Sequence, residues 1–388
     1  MKSSEPATIV EQAARPLSAA VIGTGFIGEI HSRSVRAAGG RLTAVAASTP
    51  ERSKEAAQRL GAERIVGSPE ELAAADDIDV VHVCTPNRFH ADYVRAALES
   101  GKHVICEKPL ATDPGTAAEL TELAASKGLT ATVPFVYRFY PTVRHARDRV
   151  ARGDLGAIRL LHGTYLQDWM SEPQDWSWRV DPELNGPSRA FADIGSHWCD
   201  LVEFISGHRI TSVMARLRTA LEERFVAENA AAFSSGDGQG QTHRVTTEDL
   251  GILVFETDGG ATGSAVISQI SPGRKNRLWL ELDGEAAALV FDQEHPEELW
   301  LGRRDAATVV PRGSMLMSED TARFDVVPAG HPQGYRDCFD AFVADTYAAI
   351  RGESPDGLPT FEDGARSAVI VAAVVESSRT ERWVEVPS

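Results

Sequence analysis

Leu17-Ser18-Ala19-Ala20-Val21-Ile22 runs without a break into Gly23-Thr24-Gly25-Phe26-Ile27-Gly28, and a helical pattern follows at once. The order is strand, glycine turn, helix start. Gly23 lets the chain turn sharply out of the strand. Gly25 has no side chain, so a pyrophosphate can approach the backbone. Gly28 lets the helix pack close to the strand. An anion there meets a helix N-terminus, where N–H groups and the helix dipole favour it. The three glycines, with Phe26 and Ile27 among them, are therefore candidate residues for binding a dinucleotide cofactor.

Strand and helix signals keep alternating up to residue 134. Apolar runs at 19–22, 42–47, 80–84, 103–106 and 130–133 predict strands, and 27–38, 50–60, 69–75, 89–100 and 114–127 predict helices. Short, continuously apolar strands fit burial on both faces. The expected fold class is α/β, with an N-terminal doubly wound parallel sheet of the Rossmann type that holds its ligand at the carboxyl ends of the strands. Beyond 134 the pattern changes. Strand runs appear at 158–167, 212–219, 245–256, 262–268, 277–282 and 287–291, and only turns separate the last four. That predicts a large open, mostly antiparallel sheet in an α+β C-terminal part. Helices return at 335–350 and 362–379. The expected division is a flexible tail over 1–16, a dinucleotide-binding domain over 17–134, and a substrate-binding and oligomerisation domain over 135–388. Residues 225–243, rich in Ala, Ser, Gly and Gln, are expected to form an exposed, mobile loop.

A chain of 388 residues is long for one domain, which agrees with this division. The formal net charge of −17 argues against a nucleic-acid partner or an anionic membrane surface. No segment approaches the ~20 apolar residues of a membrane span, and residues 1–16 do not read as a signal peptide. Cys84, Cys106, Cys199 and Cys338 are scattered, with no C-x-x-C pair. A reduced, cytoplasmic protein is the expectation.

Three further stretches carry chemistry. Thr85-Pro86-Asn87-Arg88-Phe89-His90 follows a strand and so falls at the ligand end of the sheet; an ordinary turn with Asn87 as a helix cap explains it equally well. Glu107-Lys108-Pro109 follows the next strand. A lysine there either is solvated at the surface or points into the cleft, where its charge would stabilise a developing alkoxide. In Asp193-Ile194-Gly195-Ser196-His197 a helix start puts Asp193 and His197 one turn apart on one face, with Gly195 leaving room for a ligand. A histidine near its ordinary pKa of ~6.5 suits proton removal at neutral pH. Asp193 as a helix cap with His197 as a buried polar residue is the alternative. A zinc site built from Asp193, His197 and Cys199 lacks a further ligand at metal-like spacing, so no metal is expected.

Taken together these pieces resemble the Gfo/Idh/MocA family of oxidoreductases. The resemblance rests on the glycine turn with His31, Thr85-Pro86-Asn87 with His90, Glu107-Lys108-Pro109-Leu110, Asp193 to His197, and Glu362-Asp363-Gly364 before an apolar helix. It covers about residues 17–386. It implies NAD or NADP as cofactor, a sugar or cyclitol substrate, and a homo-oligomer, dimer or tetramer, formed through the C-terminal sheet. It also implies Lys108 and His197 as catalytic residues with Asp193 positioning, and a cis Lys108–Pro109 bond. Thr85, Pro86, Asn87, His90, Glu107 and Lys108 would line the cofactor. Tyr165 to Trp169 resembles the members that oxidise anhydrosugars and glycosides.

The sugar reading has support from composition as well. Trp169, Trp176, Trp178 and Trp198 crowd the proposed site, with Tyr140 and Tyr165 nearby. Aromatic faces pack against sugar C–H faces, and Gln167 and Asp168 add hydrogen-bonding groups. The expected substrate-binding set is Lys108, Tyr140, Gln167, Trp169, Asp193 and His197. Ser48, Thr49 and Arg52 follow the second strand, where no acid stands to hold a ribose. They could accept a 2′-phosphate, so NADP should be tolerated, while the nearby Glu51 and the resemblance favour NAD. Three other readings remain open: an inositol dehydrogenase or keto-sugar reductase, a glycosidase using NAD transiently, and a non-catalytic dinucleotide-binding regulator.

Overall fold

The computed structural model describes residues 15–226, 241–313 and 317–387. The expected tail lies almost wholly outside the described residues, as does most of the expected loop at 225–243. That loop is flanked by structure: Glu223–Phe225 and Thr242–Arg244 pair as a two-stranded antiparallel ribbon.

The first sheet is built from β1 (Ser18–Ile22), β2 (Arg41–Ala46), β3 (Arg64–Ile65), β4 (Val80–Val83), β5 (His103–Cys106) and β6 (Ala131–Thr132). All pairings are parallel and the order is β3-β2-β1-β4-β5-β6. Helices α1 (Phe26–Ala37), α2 (Pro50–Leu60), α3 (Pro69–Ala73), α4 (His90–Glu99) and α5 (Pro114–Lys127) supply the crossovers. Every residue of β1 and β4 is buried, because helices cover both faces. The strand order reverses between β1 and β4, and the crevice at their carboxyl ends is where such sheets bind ligands.

Further helices are α6 (Pro141–Ala151), α7 (Pro182–Asn185), α8 (Ser196–Ser206), α9 (Glu319–Ala322), α10 (Tyr335–Ile350) and α11 (Phe361–Thr380). The second sheet comprises β7 (Ile158–Leu166), β8 (Ile210–Arg218), β11 (Leu250–Thr257), β12 (Thr262–Ser268), β13 (Arg277–Gly284), β14 (Ala288–Asp292), β15 (Glu298–Gly302), β16 (Ala307–Pro311) and β17 (Val384–Glu385), with the ribbon strands as β9 and β10. Its order is β16-β15-β14-β13-β7-β12-β11-β8-β17, and only β7 and β12 run parallel. One face alternates buried apolar residues over the core. The other presents Leu160, Ile252, Val254 and Val266 to solvent.

The C-terminal helices pack back on the first sheet. Ser34 of α1 donates to Asp340 of α10 at 2.6 Å, and the Thr121 hydroxyl donates to the Phe361 carbonyl at 3.1 Å. The Glu362-Asp363-Gly364 motif has a structural purpose here. Asp363 closes a capping box with Thr360 and accepts from buried Arg138 at 2.8 Å. A Cβ on Gly364 would come within 2.8 Å of the Val133 side chain, so glycine is what lets α11 approach the sheet. Arg138 also pairs with Asp200, whose carboxyl burial raises to about 7 despite that partner.

Candidate active site

The glycine turn has the shape that a dinucleotide needs. Gly23 adopts φ +93°, and a Cβ there would lie 2.3 Å from the Cys84 carbonyl oxygen. A Cβ on Gly28 would lie 1.9 Å from the Gly23 carbonyl oxygen, which is the close packing of helix on strand. Gly25 has open space where its Cβ would be, and no side chain caps the N-terminal turn of α1. The backbone there suits a pyrophosphate, with Phe26 exposed and Ile27 half-buried beside it. At the end of β2, Thr49 caps α2 by accepting from the Arg52 N–H, and the Arg52 guanidinium donates to Ser48 at 3.2 Å.

The carboxyl ends of β4 and β5 carry the next groups. Thr85 and Pro86 are half-buried at the rim. Asn87 does not cap a helix, contrary to the turn reading. Its amide donates to the carbonyl and the side chain of Asn185, both at 3.0 Å. His90 does not line the cleft. It is fully buried, with its ring nitrogens 2.7 Å from the Pro109 carbonyl and 2.9 Å from the Thr85 carbonyl, and it ties the two loops together. The Lys108–Pro109 bond is cis. Glu107 is buried, and its carboxylate receives the Lys108 backbone N–H at 3.2 Å.

Lys108 reaches across to the second half of the chain. Its Nζ donates to Oδ1 of Asp193 at 2.6 Å and to the Asp193 carbonyl at 2.8 Å. Residues Phe191–Gly195 form a π-helical turn that runs into α8. Such turns recur at functional sites. The turn keeps Asp193 and His197 close enough for their charges to interact. Burial alone would raise the Asp193 carboxyl, but the charges of Lys108 and Arg179 outweigh it and hold it well below the usual range.

Two expectations about this motif need correction. Gly195 does not make room for a ligand. A Cβ there would meet the Phe191 ring at 2.6 Å, so the glycine serves internal packing. Nor does His197 sit near its ordinary pKa. Burial, reinforced by the Lys108 charge, pushes it well below. Its ring stands edge-on to Tyr137 (centroids 5.1 Å apart) and Phe135 (5.7 Å), and its Nδ1 has no hydrogen-bond partner among the described residues.

Sequence reasoning missed four participants. Gln269 donates to Oδ2 of Asp193 at 2.7 Å, and the Arg179 Nε lies 3.5 Å from Oδ1. Tyr137 packs on His197 and is hydrogen-bonded to Tyr165. Asn276 accepts from Tyr165 at 2.9 Å and from Gln167 at 2.7 Å. The available signals were slight: Gln269 follows an apolar strand, and Arg179 follows the Trp-rich run. Gln167 also accepts from Trp169 at 2.8 Å, and Asp168 takes Lys275 at 2.7 Å. Trp169 and Trp176 pack in a small cluster with Met170, Val180 and Val245, while Trp178 stacks under Arg179. Trp198 belongs to the core instead, fully buried and donating to the Trp279 carbonyl. Tyr140 is buried as well, stacked on Tyr137, and does not reach the cleft surface.

Asp193, His197 and Cys199 do not gather as a metal site. Among the described residues the one group with three donors in reach is His162, Glu281 and Asp283, on the second sheet.

Fold and site together define an oxidoreductase whose first domain is built to hold a dinucleotide, with a lysine, a carboxylate and a neutral imidazole converging at the cleft. Comparison with known proteins gives the family. Residues 17–135 match the oxidoreductase family described as an NAD-binding Rossmann fold, and residues 143–290 match the GFO/IDH/MocA C-terminal domain. The chain is 32% identical to levoglucosan dehydrogenase of Pseudarthrobacter phenanthrenivorans over 96% of its own length and 98% of that protein. It is 24% identical to inositol 2-dehydrogenase of Rhizobium meliloti over 94% of this chain and 98% of that one. A solved structure of levoglucosan dehydrogenase in complex with NADH and levoglucosan superposes with a TM-score of 0.86 at 30% identity, covering 96% of this chain and all of that one. The protein belongs to the Gfo/Idh/MocA family and is an NAD-binding oxidoreductase.

Proposed function

We propose that this protein oxidises a secondary hydroxyl of a sugar, an anhydrosugar of the levoglucosan type or a glycoside to the ketone, using NAD. The observation that carries this reading is the convergence of Lys108, Asp193 and His197 at the carboxyl ends of β4 and β5. The bound nicotinamide would accept the hydride. His197, uncharged at neutral pH, takes the hydroxyl proton. Lys108 stabilises the alkoxide that forms, and Asp193 fixes Lys108. Gly23, Gly25, Phe26, Ile27, Gly28, Ser48, Thr49, Arg52, Thr85, Pro86, Asn87 and Glu107 hold the dinucleotide, with His90 supporting their loops. Gln167 and Trp169 line the sugar, with Tyr140 behind them. The full-length similarity to levoglucosan dehydrogenase supports the substrate class, and that to an inositol dehydrogenase keeps cyclitols as the second reading. Retention of all three reactive groups argues against a non-catalytic regulator. The test is NADH formation with levoglucosan, methyl glucosides, aldoses and myo-inositol. No turnover on any neutral ring sugar or cyclitol would overturn the reading.

We further propose residues 17–134 and 135–388 as the cofactor and substrate units. The exposed apolar stripe of Leu160, Ile252, Val254 and Val266 supports a homo-oligomer formed through the second sheet. The four buried, unpaired cysteines suit a cytoplasmic setting, and no helix among the described residues is long and apolar enough to cross a membrane.

Two predictions follow from local geometry. Because His197 is held well below its ordinary pKa, it stays uncharged as pH falls through the usual imidazole range. A pH profile of kcat/KM for oxidation is therefore expected to stay level through pH ~6.5. A one-proton loss centred there, absent from the His197→Asn variant, would contradict this. Arg52 is exposed and donates to Ser48, which supports a role toward the 2′-phosphate that only NADP carries. Arg52→Ala is expected to weaken NADP binding roughly tenfold and leave NAD within about twofold, the scale of one charge-assisted hydrogen bond. Fluorescence titration with both dinucleotides checks it, and equal losses would remove Arg52 from phosphate recognition.

A further inference from the structure

Glu107, His31, His82 and Tyr347 form an unbroken buried chain, and beyond Glu107 the reaction as described uses none of it. Glu107 follows β5, His31 lies on α1, His82 on β4 and Tyr347 on α10. Glu107 Oε1 is 3.1 Å from His31 Nε2, His31 Nδ1 is 2.9 Å from His82 Nδ1, and His82 Nε2 is 3.1 Å from the Tyr347 hydroxyl. His31, His82 and Tyr347 are 0% exposed and Glu107 is 8% exposed. The rings of His82 and Phe339 stand edge-on to His31, each with centroids 5.2 Å away, and leave it little freedom to turn.

Hydrogen-bond arithmetic closes the chain. Both oxygens of Glu107 act as acceptors, one for His31 Nε2–H and one for the Lys108 backbone N–H. Burial and the neighbouring His31 hold His82 uncharged, so its ring donates at one nitrogen and accepts at the other, one facing His31 Nδ1 and one facing the Tyr347 hydroxyl. Each gap in the chain can therefore hold one hydrogen, and no ring nitrogen of His31 or His82 is left without a partner. Apolar side chains of similar volume would fill this space without the cost of burying two imidazoles and a carboxylate. What the polar chain adds is a fixed orientation for Glu107.

We propose that His31 is a positioning residue for Lys108 and acts through Glu107. His31 aims the Glu107 carboxylate, and the carboxylate holds the Lys108 backbone from one side while Asp193 holds the ammonium from the other. His82 and Tyr347 hold the His31 ring from its other side. Because Tyr347 belongs to α10, the seating of α10 on the first sheet is felt at Lys108. This rests on the reading of Lys108 as the group that meets the reacting oxygen.

The test uses His31→Phe and His31→Gln in the full chain. Phenylalanine keeps the volume and removes both ring nitrogens. Glutamine places an N–H donor where Nε2 stood, so it can still serve Glu107. His31→Phe is expected to lower kcat at least ~10-fold, since small misplacement of a reacting group is costly. KM for the sugar should stay within about twofold, and His31→Gln should recover most of the loss. A second readout does not depend on turnover. The chain has six lysines, so the Lys108 ammonium can be assigned in a 15N-lysine NMR spectrum by Lys108→Arg. Its resonance should move in His31→Phe and return towards the parent position in His31→Gln. A lower melting temperature in His31→Phe, with kcat and the Lys108 resonance unmoved, would overturn the proposal. If the parent enzyme oxidises no sugar or cyclitol, the functional reading fails, and the Lys108 resonance alone decides on positioning. If His31→Phe does not fold, Tyr347→Phe takes its place, with a smaller effect expected in the same direction and the same absence of effect overturning the proposal.

Discussion

Lys108→Met is expected to lower kcat for sugar oxidation by ~100-fold or more, the usual scale for lost electrostatic or acid–base help at a reacting oxygen. Methionine keeps much of the length and stem of lysine and removes only the charged end. That end is the centre of the site: it bonds Asp193 twice, at 2.6 Å and 2.8 Å, and its charge helps depress His197. Without it, Asp193 keeps Gln269 and Arg179 as partners, so the carboxylate is not abandoned and the fold should hold. On the proposed reading the dinucleotide would lie mainly against the glycine turn and the loop after β4, so NADH affinity should change by no more than about threefold. Stopped-flow turnover and NADH fluorescence titration separate the two quantities. A kcat within threefold of the parent would take Lys108 out of the chemistry. A loss of NADH binding as large as the loss of kcat would make it a cofactor ligand instead.

How much of this site can be read in a sequence depends on how local each determinant is. The glycine turn, Glu107-Lys108-Pro109 and the Asp193/His197 pair are short motifs at strand or helix ends, where backbone geometry is decided within a few residues. Their placement follows from the alternation of strand and helix. The residues that tune the site are another matter. Gln269 and Arg179 reach Asp193 from chain positions 76 and 14 residues away, and only the folded second sheet brings Gln269 there. Gly195 was misleading because a glycine can serve a neighbour's ring as readily as a ligand, and the Phe191 ring turns back only inside the π-helical turn. Trp198 shares its sequence neighbourhood with Trp169, Trp176 and Trp178, but it faces β13 and the core. The pKa of His197 is a property of burial and of a charge 89 positions earlier in the chain, and neither has a local signature.

The largest stability loss should come from Asp249→Ala, and it should reach the site as well. Asp249, Arg189 and Arg224 are all fully buried. One carboxylate oxygen of Asp249 accepts from both guanidiniums, and the other accepts the N–H groups of Ala220 at 2.7 Å and Leu221 at 2.9 Å. Burial alone would raise this carboxyl, yet the two arginines and those N–H groups bring it below its ordinary value. Alanine leaves two guanidiniums in the interior facing each other without their shared partner. Removing one member of such a buried group typically costs ~3–5 kcal/mol, because the charges left behind cannot recover their hydration. The same knot holds the π-helical turn that carries Asp193. The Asp193 N–H donates to the Arg189 carbonyl at 2.8 Å, and the Gln269 N–H donates to the Asp249 carbonyl at 3.0 Å. Next to Asp249, Glu248 accepts the N–H groups of Arg189 at 2.9 Å and Phe191 at 2.8 Å. Asp193 and its partner Gln269 therefore hang from adjacent points of one buried charge cluster. Asp249→Ala should lower urea resistance by an amount in that range, and any folded fraction should show reduced kcat. Asp249→Asn, which keeps acceptors and volume but loses the charge, should fall between. A loss below ~1 kcal/mol in the alanine variant, the scale of an exposed ion pair, would show that the two arginines find other partners and that the cluster does not carry the turn.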